Sequence, residues 1–93
     1  MIEHLPRGRA YLSDQLQRAA LSISLNIAEG AGEYAINEKG RFYRMAKRSV
    51  TECAAILDIC RQLQVVEEPR YSKGRELLLR MVAMLTKLAQ KVD

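Results

Sequence analysis

Residues 22–30 read Ser-Ile-Ser-Leu-Asn-Ile-Ala-Glu-Gly and close a segment that has the apolar period of an α-helix. Two sides of this helix are apolar, one with Leu16, Ala20, Ile23 and Ile27 and the other with Leu21, Leu25 and Ala28. Between them, at steps of three or four residues, runs a polar strip of Gln15, Arg18, Ser22, Asn26 and Glu29. We therefore expect a helix that is buried on two sides and whose polar strip bonds to other helices.

The flanking residues set the limits of this helix, helix A. Residues 1–11 contain a proline and two basic residues and show no helical period, which predicts an extended or loosely ordered lead-in. Ser13 supplies a capping hydroxyl for a helix of about residues 13–29. Gly30 and Gly32 are expected to end it, because glycine adopts the left-handed conformation at little steric cost.

Helix B is predicted over about residues 38–64. Its apolar positions alternate steps of four and three, as in a helix packed in a bundle, and Asn37 or a near neighbour is expected to cap it. Glu52 lies on the flank of the apolar stripe. We expect this carboxylate to be partly buried and to pair with Arg18 or Asn26 of helix A.

Helix C is predicted over about residues 69–92, since Pro69 suits the first turn of a helix, where its missing N–H costs nothing. The sequence shows no strand pattern and no internal repeat. The predicted fold class is all-α, an antiparallel up-and-down helical bundle in one domain, residues 1–93. Three helices are visible, with helix A at the centre.

The composition supports helix packing and association. The chain has 93 residues, of which 48% are hydrophobic but only 5% aromatic, so its core is aliphatic. A chain of this size buries roughly 60–65% of the surface that its unfolded form exposes, so its own core stabilises a monomer only marginally. We therefore expect the chain to oligomerise. The net charge of +4 favours polyanions weakly without identifying one.

The cysteines and the terminal segments indicate a cytoplasmic protein. Cys53 and Cys60 are seven residues apart, about 10 Å of helical rise, which is too far for a disulfide within one helix. We expect both to be reduced core thiols. The N-terminus lacks the pattern of a signal peptide, and the longest apolar run, residues 81–85, is too short to span a bilayer.

The segment 15–30 also resembles a known family. It reads Gln-Leu-Gln-Arg-Ala-Ala-Leu-Ser-Ile-Ser-Leu-Asn-Ile-Ala-Glu-Gly and is followed at the expected distance by Phe42, Ala46, Ser49 and Glu52. With these residues the chain resembles the small bacterial four-helix-bundle proteins named after the intervening sequence of 23S ribosomal RNA genes. The resemblance covers most of residues 12–90.

The resemblance implies an antiparallel four-helix bundle, often a homopentameric ring, in a family whose members mostly have no established biochemical activity. The same superfamily includes the basic accessory protein of diversity-generating retroelements, which resembles a nucleic-acid binder and a partner of a reverse transcriptase. Family members begin with a further helix, usually with a Trp-x-x-Ala pattern. We expect that helix to be truncated here or reduced to residues 1–11, which would uncover a groove on helices A to C and favour association with another chain.

One short segment of the sequence is strongly basic. Five bases and no acid occur within residues 39–48: Lys39, Arg41, Arg44, Lys47 and Arg48. The three arginines share a face of helix B opposite its apolar stripe, and Tyr43 lies beside them, where it could stack on a base. Such a row contacts phosphates with a steep salt dependence, and a fivefold ring would multiply it. The other interpretation is a solvated helix face near Glu38 and Glu52.

An enzyme is not predicted. His4 is the only histidine and lies in the lead-in, so no histidine-based triad can be placed, and the Glu-x-x-His pairs of di-iron bundles are absent. The Gly-Ala-Gly of residues 30–32 lacks a preceding strand and a following lysine, so it is not a phosphate loop. We interpret Glu29 and Glu52 as structural polar groups, and we expect no metal and no cofactor.

The predicted function is that of a non-enzymatic nucleic-acid-binding or ribonucleoprotein accessory protein. Its expected partners are copies of itself, RNA or DNA, and a protein such as a reverse transcriptase, without a membrane. The alternative is an oligomeric protein–protein interaction module that binds no nucleic acid. The predicted interface comprises Lys39, Arg41, Tyr43, Arg44, Lys47 and Arg48, and the predicted structural seam comprises Arg18, Ser22, Asn26, Glu29 and Glu52.

Overall fold

The chain folds into three α-helices, confirming the all-α class. The computed structural model describes the backbone of residues 4–92 and the side chains of residues 10–91. The helices are α1 (His4–Gly32), α2 (Ile36–Gln62) and α3 (Glu68–Val92), and this part of the chain contains no strand. They correspond to the predicted helices A, B and C. None of the described helices is long and apolar enough to cross a membrane.

The first helix begins earlier than the sequence predicts. The lead-in assigned to residues 1–11 is helical from His4 onward, and the residues before it lie outside the described part. Ser13 therefore lies inside α1 instead of capping it, and its hydroxyl accepts a long hydrogen bond of 3.4 Å from the Gln17 amide. The lead-in prediction was wrong because Pro6 falls in the first turn, where its missing N–H has no intrahelical partner to lose.

The end of α1 is closed by a lysine. The helix ends at Gly32, yet no glycine in the described part of the chain has a positive φ, so the left-handed ending was a wrong prediction. Lys39 of α2 instead donates from Nζ to the carbonyl oxygens of Gly30, at 2.7 Å, and Ala31, at 3.3 Å. A cation at a helix C-terminus satisfies unpaired carbonyls and complements the helix dipole.

The start of α2 also differs from the prediction. Ala35 is the N-cap and makes no side-chain capping bond, while Asn37, the predicted cap, lies inside the helix. Glu33 orders the preceding connection, because its carboxylate accepts hydrogen bonds from the backbone N–H groups of Tyr34, at 3.1 Å, and Ala35, at 3.3 Å. Glu33 thus orders the connection before α2, and the helix itself begins without a side-chain cap.

The end of α2 is a Schellman motif. Gln64 has a φ of 58°. Its N–H donates to the Arg61 carbonyl and the N–H of Val65 donates to the Cys60 carbonyl, both at 3.0 Å. These are the two bonds that close a helix through a left-handed residue, a position that glycine usually occupies.

The central helix is α2, which corrects the prediction that helix A is central. Over the described helices, α1 and α3 each pack against α2 and not against each other. The molecule measures 51 × 21 × 13 Å along its principal axes. Since the Cα cylinder of one helix is only about 5 Å across, the smallest dimension shows that α1 and α3 incline toward the same side of α2. They leave a trough between them.

The core follows α2. Its buried members are Ala19, Ile23, Tyr43, Ala46, Val50, Cys53 and Leu85. Cys53 and Cys60 are buried free thiols, as predicted. Burial raises the pKa of the Cys53 thiol, and the neighbouring Glu52 charge raises it further. Both effects favour the neutral form of Cys53.

Candidate nucleic-acid interface

Three arginines project from the face of α2 that points away from the core. Arg41, Arg44 and Arg48 are exposed and line a shallow groove together with Met45. Their positions span about 10 Å of helical rise, so the guanidinium groups form a short row along one face. The structure thus brings together the three arginines that the sequence placed on a common face.

Arg41 is the most strongly oriented member of this arginine row. Its Nη2 and Nε atoms donate to Glu38 Oε2 at 2.9 and 3.2 Å, and its guanidinium carbon lies 5.0 Å from the centroid of the Phe42 ring. Nη1 also lies 3.9 Å from Met45 Sδ. Because both members of the ion pair are about half exposed, the pair contributes little to stability. The Arg41–Glu38 pair instead holds the Arg41 guanidinium over the Phe42 ring.

Two members of the predicted interface have structural positions instead. Tyr43 is only 5% exposed, and its ring packs beneath Gly30, so the prediction that it stacks on a base is wrong. Lys39 closes the end of α1 and lies 5.9 Å from the Tyr43 ring centroid. Lys47 is half-buried beside the arginine row. The sequence did not separate these roles, because the residue type and spacing of a lysine are the same whether its side chain packs between two helices or extends into solvent.

The polar strip of α1 is buried only at its middle. The hydroxyls of Ser22 and Ser49 lie 2.8 Å apart, and Asn26 Nδ2 donates to the Ser22 carbonyl at 2.8 Å and to Ser22 Oγ at 3.1 Å. Ser49 Oγ donates in turn to the Met45 carbonyl at 3.2 Å. Asn26 and Ser49 are buried. This connected set of bonds satisfies the polar groups between α1 and α2 and favours one alignment of the two helices.

The charged members of the predicted seam lie outside it. Arg18 pairs with Asp14 at 3.3 Å and its side chain is 74% exposed, while Glu29 and Glu52 are exposed. The predicted burial of Glu52 against Arg18 or Asn26 is therefore wrong. Long charged side chains at the rim of a helix interface extend into water, where their charges stay hydrated.

A polar cluster between α2 and α3 was not predicted. The Tyr71 hydroxyl donates to Asp58 Oδ1 at 2.7 Å, and Arg75 Nη1 lies 3.8 Å from Asp58 Oδ2. The Arg61 guanidinium carbon lies 4.6 Å from the Tyr71 ring centroid, and its Nε lies 3.5 Å from Glu68 Oε2. On each helix the members are three or four residues apart and therefore share a face, but the sequence does not show that these two faces meet.

The trough between α1 and α3 is lined by apolar side chains alone. Its walls and floor are formed by Leu16, Ala20, Ile23, Cys53, Leu57, Gly74, Leu77, Leu78 and Met81. On the opposite side of α1, Leu21 and Leu25 are 59% and 56% exposed. The prediction that this second apolar side is buried does not hold for the single chain. Two separate apolar surfaces therefore face solvent.

Within the described residues, no group of three or more histidine, cysteine, aspartate or glutamate side chains could hold a metal ion. The His4 side chain lies outside the described side chains. On the outer face of α2, Arg41, Arg44 and Arg48 present guanidinium groups, whose planar donors match the oxygens of phosphate and carboxylate.

Comparison with known proteins gives one match. A family model described as 23S rRNA-intervening sequence protein matches residues 1–87. No curated protein and no solved structure matches the chain. The matched range includes α1, α2 and most of α3, and thus the arginine row, the serine–asparagine seam and the trough.

Proposed function

The chain belongs to the 23S rRNA-intervening sequence protein family, and we propose that it is a non-enzymatic accessory protein that binds the phosphate backbone of RNA or DNA. The observation that carries this proposal is the row of Arg41, Arg44 and Arg48 on the exposed face of α2. Arginine stays charged at every physiological pH and binds phosphate through two donors at once.

The geometry supports contact with the backbone and not with bases. Tyr43 is buried, and the half-buried Phe42 ring already has the Arg41 guanidinium 5.0 Å from its centroid, so neither ring is freely offered to a base. Backbone contacts position a protein on nucleic acid without reading its sequence. With about three phosphates neutralised, we expect log K to fall against log salt with a slope of about −2.1 on single strands and about −2.7 on duplex DNA.

The test compares two triple variants with equal loss of charge. In one, Arg41, Arg44 and Arg48 become Gln. In the other, three exposed bases of the outer face of α3, Lys73, Arg80 and Lys87, become Gln. Fluorescence anisotropy with a labelled single-stranded RNA and a labelled DNA duplex, in a salt series, measures binding. We expect the first variant to lose binding and the second to keep most of it.

Equal losses in the two variants would mean that net charge alone drives binding, which contradicts a localised interface. Wild-type binding by the α2 variant would overturn the proposal. Far-ultraviolet circular dichroism controls for folding, since all six side chains are on helix surfaces.

A second candidate function is an oligomeric protein-interaction module that binds no nucleic acid, and the apolar trough favours it. Under this alternative the arginine row is a solvated helix face. It predicts no salt-dependent retention of nucleic acid at physiological ionic strength and recovery of a protein partner, such as a reverse transcriptase, from cell extract. The homopentameric ring implied by the family resemblance is compatible with both functions.

A further inference from the structure

We infer that the trough between α1 and α3 is the docking site for an amphipathic helix of another protein, one whose apolar face is bordered along one side by acidic residues. The inference gives a partner chemistry to the surface that favours the second candidate function. It does not depend on nucleic-acid binding, because the trough and the arginine row share no lining residue.

The trough has the length of a short helix. Its α3 wall runs from Gly74 to Met84, which is about 15 Å of helical rise or roughly three turns. Leu77 and Met84 are 43% and 44% exposed along its open edge. A Cβ at Gly74 would lie 2.8 Å from Leu57 Cδ2, so the missing side chain lets α3 lie close to α2 and closes the floor. Exposed apolar surface of this extent on a small protein marks an interaction site.

A second cavity extends the trough toward the turn between α2 and α3. It shares Leu16 and Leu57 with the trough and is also lined by Val65, Val66 and Arg70. Arg70 is exposed, so a positive charge lies at this end of the apolar surface.

The rim of the trough on α3 is basic. Lys73, Arg80 and Lys87 are exposed and recur every seven residues. Each is three or four positions from Leu77 or Met84, so the three side chains lie directly beside the apolar edge.

Glu76 is the acid beside this basic rim. Its Oε1 atom lies 3.9 Å from Lys73 Nζ and 3.1 Å from Arg80 Nη2. All three side chains are more than half exposed, so these ion pairs contribute little and exchange easily for others. Three positive charges and one negative charge leave the α3 rim at +2.

The rim of the trough on α1 carries no charge. Ser13, Gln17 and Ser24 are exposed and lie three, four or seven positions from Ala20, which lines the trough. Further round this helix, one ion pair adds no net charge: Asp14 and Arg18. The trough therefore has one basic and one neutral border.

These features define the chemistry of the occupant. The apolar lining excludes a phosphate backbone, because a charge buried there would lose its hydration without gaining a partner. A groove between two helices accepts the apolar face of a third, with anchors at i, i+3 or i+4, and i+7. The basic border then favours acids on the side of the partner helix that faces α3, and on that side alone.

The test uses two fluorescein-labelled peptides with the same leucine face. Each has about 18 residues, because shorter isolated helices are marginal in water. One peptide carries Glu and the other Lys along one side of the leucine face. Fluorescence anisotropy with the full chain at low salt should show binding of the Glu peptide and binding at least about tenfold weaker for the Lys peptide. Added salt should narrow this difference.

The triple Gln variant of α3, at Lys73, Arg80 and Lys87, should weaken binding of the Glu peptide about tenfold, the effect of three exposed ion pairs. The matched control is the triple Gln variant of the arginine row, which loses the same charge from another face and should keep the affinity. The nucleic-acid measurement predicts the opposite order for these two variants. Failure of helix docking and failure of nucleic-acid binding are therefore distinguishable.

A second pair of variants tests the apolar contact. Leu77→Glu with Met84→Glu should abolish binding of both peptides. Tyr34→Glu with Leu79→Glu adds the same charge at side chains that are 98% and 64% exposed and lie outside the trough, so this control should bind the Glu peptide as the wild type does. Far-ultraviolet circular dichroism verifies that both variants are folded.

Three results would overturn the inference: no binding of either peptide, equal binding of both, or undiminished binding by the trough variant. Light scattering covers the remaining occupant. A smaller mass for the trough variant than for the wild type, without peptide binding by the wild type, would assign the trough to a second copy of the chain and overturn the inference as well.

Discussion

Gly30 lets α1 and α2 approach each other closely, because the missing side chain leaves room for an aromatic ring. A Cβ at this position would lie 2.6 Å from Tyr43 Cε1 and 2.9 Å from Cδ1. The backbone of Gly30 does not have a positive φ. The requirement for glycine is therefore one of space and not of backbone conformation.

Gly30→Ala should lower the free energy of unfolding by about 1–3 kcal/mol, the usual cost of overpacking a well-packed interior. The matched control is Gly32→Ala, where a new Cβ meets nothing within 4 Å. At that helical position alanine should be neutral or stabilising by up to about 1 kcal/mol. Urea denaturation followed by circular dichroism compares the two. Equal stability of both variants would show that the Tyr43 ring moves aside freely.

Asn26→Ala should destabilise the chain by about 1–2 kcal/mol, because it removes the buried amide that bonds to Ser22. Arg18→Ala should stay within about 0.5 kcal/mol of the wild type, since its ion pair with Asp14 is solvent-exposed. The same denaturation experiment measures both. A larger effect at Arg18 than at Asn26 would show that the charged end of the strip, and not its middle, holds the helices together.

The sequence predicted part of these residue roles. Ser22 and Asn26 were expected to bond to a neighbouring helix. Ser22 does so through Ser49 of α2, whereas Asn26 bonds to Ser22 within α1. Tyr43 could not be assigned correctly, because its burial depends on the absence of a side chain at Gly30, thirteen residues earlier. The period of a helix specifies which residues share a face, but not which neighbour covers that face.

At the scale of the helices, the C-terminal end of α2 requires an unfavourable backbone conformation. Gln64 adopts the left-handed region with φ 58°, which L-residues with a Cβ occupy at a cost of about 1–2 kcal/mol. The two hydrogen bonds of the Schellman motif hold it there. These two hydrogen bonds thus hold the turn between α2 and α3, although Gln64 is a less favourable residue than glycine in the left-handed region.

Gln64→Gly should therefore raise the free energy of unfolding by about 0.5–1 kcal/mol, the relief of the left-handed conformation minus the added freedom of glycine in the unfolded chain. Gln62→Gly makes the same chemical change two residues earlier, in the last residue of α2. There glycine should destabilise by up to about 1 kcal/mol. Thermal denaturation shows whether each substitution raises or lowers the melting temperature. A lower melting temperature for Gln64→Gly would mean that the glutamine side chain has a contact worth more than the strain.

The helices themselves were predictable because their apolar periods are long and regular. Their order in space was not. Helix A is apolar on two sides, which suggested a central position, yet its second apolar side, with Leu21 and Leu25, faces solvent and α2 occupies the centre. A sequence does not distinguish an apolar side that packs against its own chain from one that faces solvent in the single chain.

At the scale of the molecule, the two thiols report on the integrity of the core. Cys53 and Cys60 lie on α2 and are both buried. The raised pKa of Cys53 keeps its thiolate fraction below that of an ordinary cysteine at any pH near neutrality. Reaction with a thiol reagent should therefore be slow in the folded chain, because both thiols are buried and little Cys53 thiolate is present.

Each thiol, studied with the other changed to Ala, should react with Ellman's reagent far more slowly in the folded chain than in urea, at a rate that follows the unfolded fraction. Because the folded pKa of Cys53 is raised, the unfolded chain loses its thiol proton first as pH increases. The contribution of this group to stability is thus intact below the ordinary value of 9.0 and is lost as pH rises through the raised folded pKa. Rapid labelling of both thiols without denaturant would show that the core is open.

The absence of contact between α1 and α3 also ranks the helices by how easily they open. Detaching α1 breaks only its interface with α2, and detaching α3 breaks only the other interface of α2. The central helix α2 is released only when both interfaces are lost. Amide hydrogens of α2 should consequently exchange with solvent most slowly, close to the limit set by global unfolding. The arginine row stands on this most protected helix, so its spacing persists even in partly opened forms of the molecule.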